Sequence, residues 1–232
     1  MRTLILVVVT LALAAGVAAA TPPDLATSNL NTPAGKTTAL AARTVYQASS
    51  FPLGLRLTAP DGTWAGSQWT TSAFGKKTFA WVAVGHGGTT PTSPPQGVVT
   101  IMTAIGPTPS VSATVARLRR GGSGITFQTP SPARVAGYRG TQFGGNVWGI
   151  FGHSFVPFTP TTHGASPSDS WHTDKGEAFR FIVLGVKGKT VVMFEESFGL
   201  SPDHFPAFLT DANRVLASLK FTALQSTKAG KS

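Results

Sequence analysis

The chain contains no cysteine. That excludes a disulfide scaffold, a thiolate zinc site, a cysteine nucleophile and a lipid-anchored amino-terminal cysteine. Charge is scarce as well. Asp, Glu, Lys and Arg make up 12% of the residues, about half the usual ~25%. Acidic groups are the rarest, 9 against 19 Lys and Arg, which leaves a net charge of +10. Beyond the amino-terminus no run is apolar for the roughly 20 residues that a membrane-spanning helix needs. Gly and Pro are plentiful, 26 and 17 residues, yet below the roughly 25–30% that marks low-complexity chains. In 232 residues, these proportions describe one loop-rich, weakly charged folded domain.

What is present begins with an export pattern. Arg2 supplies a positive charge, residues 4–13 are apolar except for Thr10, and small residues end in Ala18-Ala19-Ala20. That order matches a signal peptide, residues 1–20, with cleavage after Ala20. Removal of this segment takes away one basic residue, Arg2, and no acidic one. The processed protein is expected to be secreted or extracytoplasmic, soluble and without a transmembrane span. Residues 21–42 carry almost no large apolar side chains and read as a flexible leader, because they cannot bury enough surface to offset ordering. Residues 225–232 read as a disordered polar tail, which leaves residues 43–224 as a single domain.

Strand patterns dominate that domain. Leu53, Leu55 and Leu57 alternate before the Pro60-Asp61-Gly62 turn, and β-rich runs follow at residues 63–70, 78–85, 97–105 and 131–144. Residues 178–186 and 189–195 flank Lys187-Gly188 and form the clearest hairpin. One parity of the first arm holds Phe179, Phe181 and Val183; the other holds Ile182, Leu184 and Val186. A strand apolar on both faces is covered on both sides. Two helices are predicted. Val111, Val115 and Leu118 recur at helical spacing after Thr108-Pro109-Ser110. Phe205, Phe208, Leu209, Ala212, Val215, Leu216 and Leu219 form one apolar stripe. Pro206 places the regular start of that second helix near Phe205.

The series closes with GEAFRFIVLGVKGKTVV at residues 176–192 and FPAFLTDANRVLASLKF at residues 205–221. In these core patterns and in its order of elements the chain resembles the PsbP-like superfamily, specifically its LpqN-type bacterial secreted and lipoprotein branch. The resemblance implies an α+β fold: a three-layer α/β/α sandwich around a central, mainly antiparallel sheet of about 6–7 strands. It also implies a non-catalytic accessory role. The absence of a lipobox cysteine departs from the lipid-anchored members.

Candidate chemistry concentrates in residues 145–176, a stretch of no clear period. Trp148, Phe151, Phe155 and Trp171, with Phe158, are too many large apolar groups for a solvated loop. They either fold into a local core or line a ligand-binding groove. His153, His163, His172 and Asp174 are weak metal candidates, since their spacing matches no zinc motif. No metal and no cofactor is expected. Gly152-His153-Ser154-Phe155-Val156 lacks the second Gly of a nucleophile elbow, although Ser154 has His163, His172, Asp169 and Asp174 nearby in sequence. The Gly-Lys-Thr triplets at 35–37 and 188–190 have Leu30 and Val183 where a phosphate loop needs Gly. Glu195 and Glu196 point to opposite faces of a strand and read as a solvated strand end. The basic residues are dispersed apart from Arg117, Arg119 and Arg120 at a helix end, so no nucleic acid is expected as a partner. The expected function is an exported, non-enzymatic accessory or binding protein, with an anionic cell-envelope polymer or another protein as partner. The alternative is a secreted metal-dependent or serine hydrolase using residues 145–176.

Overall fold

The computed structural model describes residues 20–27, 38–73, 76–87, 96–120, 124–149, 152–158, 171–197 and 202–222. The chain is mostly sheet with two helices. In order, the strands are β1 (Ala26–Thr27), β2 (Thr38–Ala39), β3 (Val45–Ala48), β4 (Leu55–Thr58), β5 (Trp64–Ala73), β6 (Lys76–His86) and β7 (Gly97–Ala104). Helix α1 (Val111–Leu118) follows, then β8 (Ile125–Phe127), β9 (Ser131–Val135), β10 (Tyr138–Val147), β11 (His153–Phe155), β12 (Trp171–Thr173), β13 (Ala178–Val186) and β14 (Lys189–Glu196). The chain closes with α2 (Phe205–Ser218) and β15 (Lys220–Phe221).

The principal sheet has ten strands in the order β1-β5-β6-β7-β14-β13-β10-β8, with β2 on β5 and β9 on β10. That corrects the expected 6–7. The extra strands are short edge pieces of two to five residues, too short to carry a readable alternation. Pairing is antiparallel except for β1 on β5, which is parallel, so the sheet is mixed. Two further sheets form, β15-β4-β3 and β11-β12.

The double-sided hairpin expected from the sequence is present. Lys187 and Gly188 both adopt positive φ, 48° and 78°, the two-residue turn that matches strand twist. Phe179, Phe181 and Val183 enter one core cluster, and Ile182, Leu184 and Val186 enter the other. The first cluster also holds Phe79, Trp81, Phe143 and Phe194, Leu118 of α1, and Phe155 and Trp171 of β11 and β12. The second holds Trp64, Val82, Ile101 and Met193, the apolar face of α2, and Tyr46, Leu55, Leu57 and Phe221 of the three-stranded sheet. Each cluster therefore combines one helix with strands outside the principal sheet.

Both helices start as their sequences dictate. The Ser110 side chain accepts a hydrogen bond from the Ala113 N–H at 3.2 Å and caps α1. In α2 a 3-10 turn at Pro202–His204 precedes a regular start at Phe205, with Pro206 in the first turn where its missing N–H costs nothing.

The expected flexible leader is corrected over residues 21–27 and 38–42. Leu25 and Leu40 are each 2% exposed and belong to the α2-side cluster. Leu25 N–H donates to Gln47 O, Gln47 N–H donates to Pro23 O, and the Gln68 amide donates to Leu25 O. Two isolated leucines in a polar stretch have no period, so only tertiary contact reveals them. The stretch before Ala20, expected to be a signal peptide, and the stretch 225–232, expected to be a disordered tail, lie outside the described residues. No helix among the described residues is long and apolar enough to cross a membrane.

Candidate functional site

Among the described residues of 145–176, β11 and β12 pair antiparallel and lie on the α1-side cluster. Phe155, Phe158 and Trp171 are buried in it. Trp171 meets Trp81 edge-on at 5.2 Å and Phe194 at 5.2 Å; Phe155 lies 4.9 Å from Phe179. The expected ligand-binding set of Trp148, Phe151, Phe155 and Trp171 is therefore corrected at Phe155 and Trp171, which belong to a core. Strand alternation turns Phe155 and Trp171, a cross-strand pair, inward together. Trp148 is 63% exposed. Phe151 lies outside the described residues.

The opposite face of that hairpin carries the polar residues. Ser154 and His172 are direct cross-strand partners. Ser154 Oγ and His172 Nδ1 lie 3.1 Å apart, and His172 Nε2 lies 3.3 Å from Asp174 Oδ1. With its proton on Nε2, the ring donates to Asp174 and accepts from the Ser154 hydroxyl. That is a serine–imidazole–carboxylate relay with the two ring nitrogens exchanged relative to the serine-protease arrangement. The His172 and Asp174 side chains are 58% and 75% exposed, so water competes for every link. His153 points the other way, its ring 4.6 Å from Phe155. Burial, and secondarily the His172 charge, hold its pKa below the ordinary value. His163 and Asp169 lie outside the described residues. Among the described residues, no group of three or more His, Asp or Glu side chains could hold a metal ion.

Below the relay sits a carboxyl group. Glu177 accepts from the Asp174 N–H at 2.6 Å. Glu196 is 4% exposed and its Oε2 has no hydrogen-bond partner among the described residues. Burial pushes its pKa well above the usual carboxylate range, and the negative Glu177 and Asp174 push it further. The expected solvated strand end is thus corrected: Glu195 is 0% exposed and Glu196 is almost fully covered. Both lie deep because β14 is flanked there by β7 on one side and β13 on the other.

A raised pKa fixes the sign of a pH effect. The fold favours protonated Glu196, so this group's contribution is fully present below the ordinary carboxylate pKa and is lost as pH rises through the raised one. Glu196→Gln keeps the shape and removes the charge. It is expected to stabilise the protein at pH 8 by about 2 kcal/mol, the scale of one buried unsatisfied polar group. Near pH 3, where both side chains are neutral, the gain should vanish. Urea unfolding at the two pH values measures it; an equal effect at both would reject the account.

Across the principal sheet, on the α2 side, an open groove of about 300 Å³ runs between β9 and α2. Its polar side chains are Arg134, Gln142, Arg180 and Asn213; its apolar walls include Val135, Ile182 and Leu216. The turn Ala136–Gly137, both residues at positive φ, folds β9 back on β10 and sets that wall. Arg180 is the fixed point. Its Nε donates to Glu195 Oε2, and its Nη2 donates to Glu195 Oε1 at 2.8 Å and to Asn213 Oδ1 of α2 at 2.6 Å. This groove was missed in the sequence, although one signal existed. A two-residue turn at Lys187-Gly188 pairs Val186 with Lys189 and so pairs Arg180 with Glu195.

The fold and groove define an α+β protein with a single anchored arginine beside a helix. No protein-family model matches the chain, and no curated protein matches it. Among solved structures, the cyanobacterial PsbP (CyanoP) of Synechocystis sp. PCC 6803 is similar at 9% identity, with a TM-score of 0.39 over 82% of this chain and 99% of that one. LpqN of Mycobacterium tuberculosis, a protein involved in cell envelope biogenesis, is similar at 14% identity, with a TM-score of 0.28 over 77% and 84%. The likeness concerns overall arrangement at most, and no residue takes a role from either protein.

Proposed function

We propose that the chain is an exported, non-catalytic accessory protein that binds a component of the cell envelope through the groove between β9 and α2. The proposal includes the layered α/β/α form of the fold, with α2 on one face of the sheet and α1 on the other. The observation that carries the binding reading is the content of the groove. Its polar side chains are two guanidiniums and two carboxamides, none of which transfers a proton or attacks a carbon near neutral pH. The one carboxylate beside it, Glu195, accepts from Arg180 through both oxygens. A site of this composition holds a ligand and does no chemistry on it.

Fractionation and sedimentation test the reading. The full chain should leave the cytoplasm and be cut after Ala20. The processed form should sediment with envelope fragments at low salt, and Ala217→Trp, which fills the groove from the exposed side of α2, should reduce that sedimentation. Retention in the cytoplasm, or failure to enrich any envelope component at low salt, defeats the proposal.

A second reading has its own observation, the Ser154–His172–Asp174 relay. It makes the chain a secreted serine hydrolase. The processed protein is assayed with p-nitrophenyl butyrate beside Ser154→Ala. Hydrolysis that disappears in the variant supports the hydrolase. Absence of turnover, or turnover unchanged by the substitution, supports the binding protein.

A further inference from the structure

We infer that the groove takes a small organic anion, an acidic head on a short apolar body. This rests on the binding reading above and adds the chemistry of the occupant. The argument is a count of donors and acceptors. A guanidinium has five N–H donors and no acceptor. Arg180 uses Nε and Nη2 on Glu195 and Asn213, which leaves both N–H groups of Nη1 uncommitted among the described residues. Because Arg180 can only donate, the Asn213 oxygen must face it, and the Asn213 amide N–H₂ is the free end. Arg134, exposed on the rim, has no ion-pair partner among the described residues. Gln142 adds a further N–H₂ group with two donors, and its carbonyl oxygen is the one acceptor among these four side chains that no hydrogen bond among the described residues engages. Both Glu195 oxygens are occupied by Arg180, and the residue is fully buried. The polar side chains therefore offer N–H groups almost exclusively, and they demand an acceptor-rich, negatively charged head.

The rest of the surface sets the body. Val135, Ile182, Leu216 and the small side chains of Ala133, Ala136 and Ala217 form the walls. A volume of about 300 Å³ is at the lower end of the ~300–1,000 Å³ of ligand pockets. It equals the liquid volume of about ten waters at ~30 Å³ each. A head group with a chain of a few carbons fits; a long lipid tail does not. Two head groups share the required chemistry, a carboxylate and a phosphate monoester.

Octanoate, octyl phosphate and neutral octanol are the probes, titrated into the folded chain while amide and side-chain N–H resonances are followed by NMR. Both anions should shift the backbone signals of residues 133–136 and 213–217 and the side-chain signals of Arg134 and Asn213. They should act at concentrations about tenfold below octanol, the factor expected for one charge-assisted hydrogen bond. The tighter of the two anions identifies the head group. Arg134→Glu should weaken both anions about tenfold and leave octanol unchanged. Ala217→Trp should abolish all three sets of groove shifts. Equal groove shifts from octanol and the anions overturn the anion assignment while leaving the groove a binding site. Shifts confined to other surfaces, or none at all, also overturn it, and the envelope sedimentation with Ala217→Trp then judges the binding reading separately.

Discussion

Trp171→Ala should destabilise the protein by about 3–5 kcal/mol, the usual loss for a large aromatic cut from a packed core. Trp171 is 5% exposed and touches Trp81, Phe181 and Phe194 with ring centroids 5.2–5.8 Å apart. Phe155, Phe179 and Phe181 pack in the same cluster, so removal of the indole leaves a cavity among large side chains. Its indole N–H has no hydrogen-bond partner among the described residues, so truncation also removes one such donor, and the loss belongs at the lower end of the range. Trp148→Ala is the internal control. At 63% exposure it should change stability by no more than about 0.5 kcal/mol. Urea unfolding of the two variants gives both values. A mild Trp171→Ala beside a severe Trp148→Ala would restore the reading in which these aromatics line an open groove.

That contrast shows where the sequence runs out of signal. The β13–β14 hairpin, the start of α2 at Phe205 and the placement of α1 directly after Thr108-Pro109-Ser110 were all legible, since each rests on a period or on turn and cap residues spanning a few positions. The aromatics of β11 and β12 were not. A strand of three residues offers one alternation, and one alternation does not say which parity faces in. Leu25 and Leu40 were hidden for a related reason, as single apolar residues whose burial depends on β5 and the three-stranded sheet. The polar features follow the same division. The relay of Ser154, His172 and Asp174 was visible as a list of residue types, but only the β11–β12 register sets Ser154 opposite His172. The groove needed contacts between β9, β13 and α2, about eighty residues apart along the chain, which no local pattern encodes.

Arg180→Ala should cost about 3–5 kcal/mol, because it leaves Glu195 buried without its partner. Glu195→Ala should cost a similar amount for the reciprocal reason. The loss should depend on pH, and its sign follows from the carboxyl. Burial already pushes Glu195 above the ordinary carboxylate range, with Arg180 pulling the other way through its hydrogen bonds and charge. Without Arg180 only the upward push remains. The variant's Glu195 then stabilises least at high pH, where it must be charged, and the deficit shrinks as the pH falls below the raised pKa and the group takes up a proton. The double variant Arg180→Met with Glu195→Leu separates charge from packing. It removes both ions and keeps apolar volume in a region lined by Ile182 and Leu216. Replacing a buried pair in this way is often neutral or stabilising by about 1–4 kcal/mol, so the double variant should recover most of the single-variant loss. It should also lose the anion selectivity of the groove, since Nη1 is gone while the walls remain. Recovery of stability together with retained selectivity would place the anion contact on Arg134 alone. Failure to recover stability would mean that the Arg180 bridge to Asn213 holds α2 against the sheet independently of Glu195. Denaturant titration of the three variants at pH 4 and pH 8 distinguishes these outcomes.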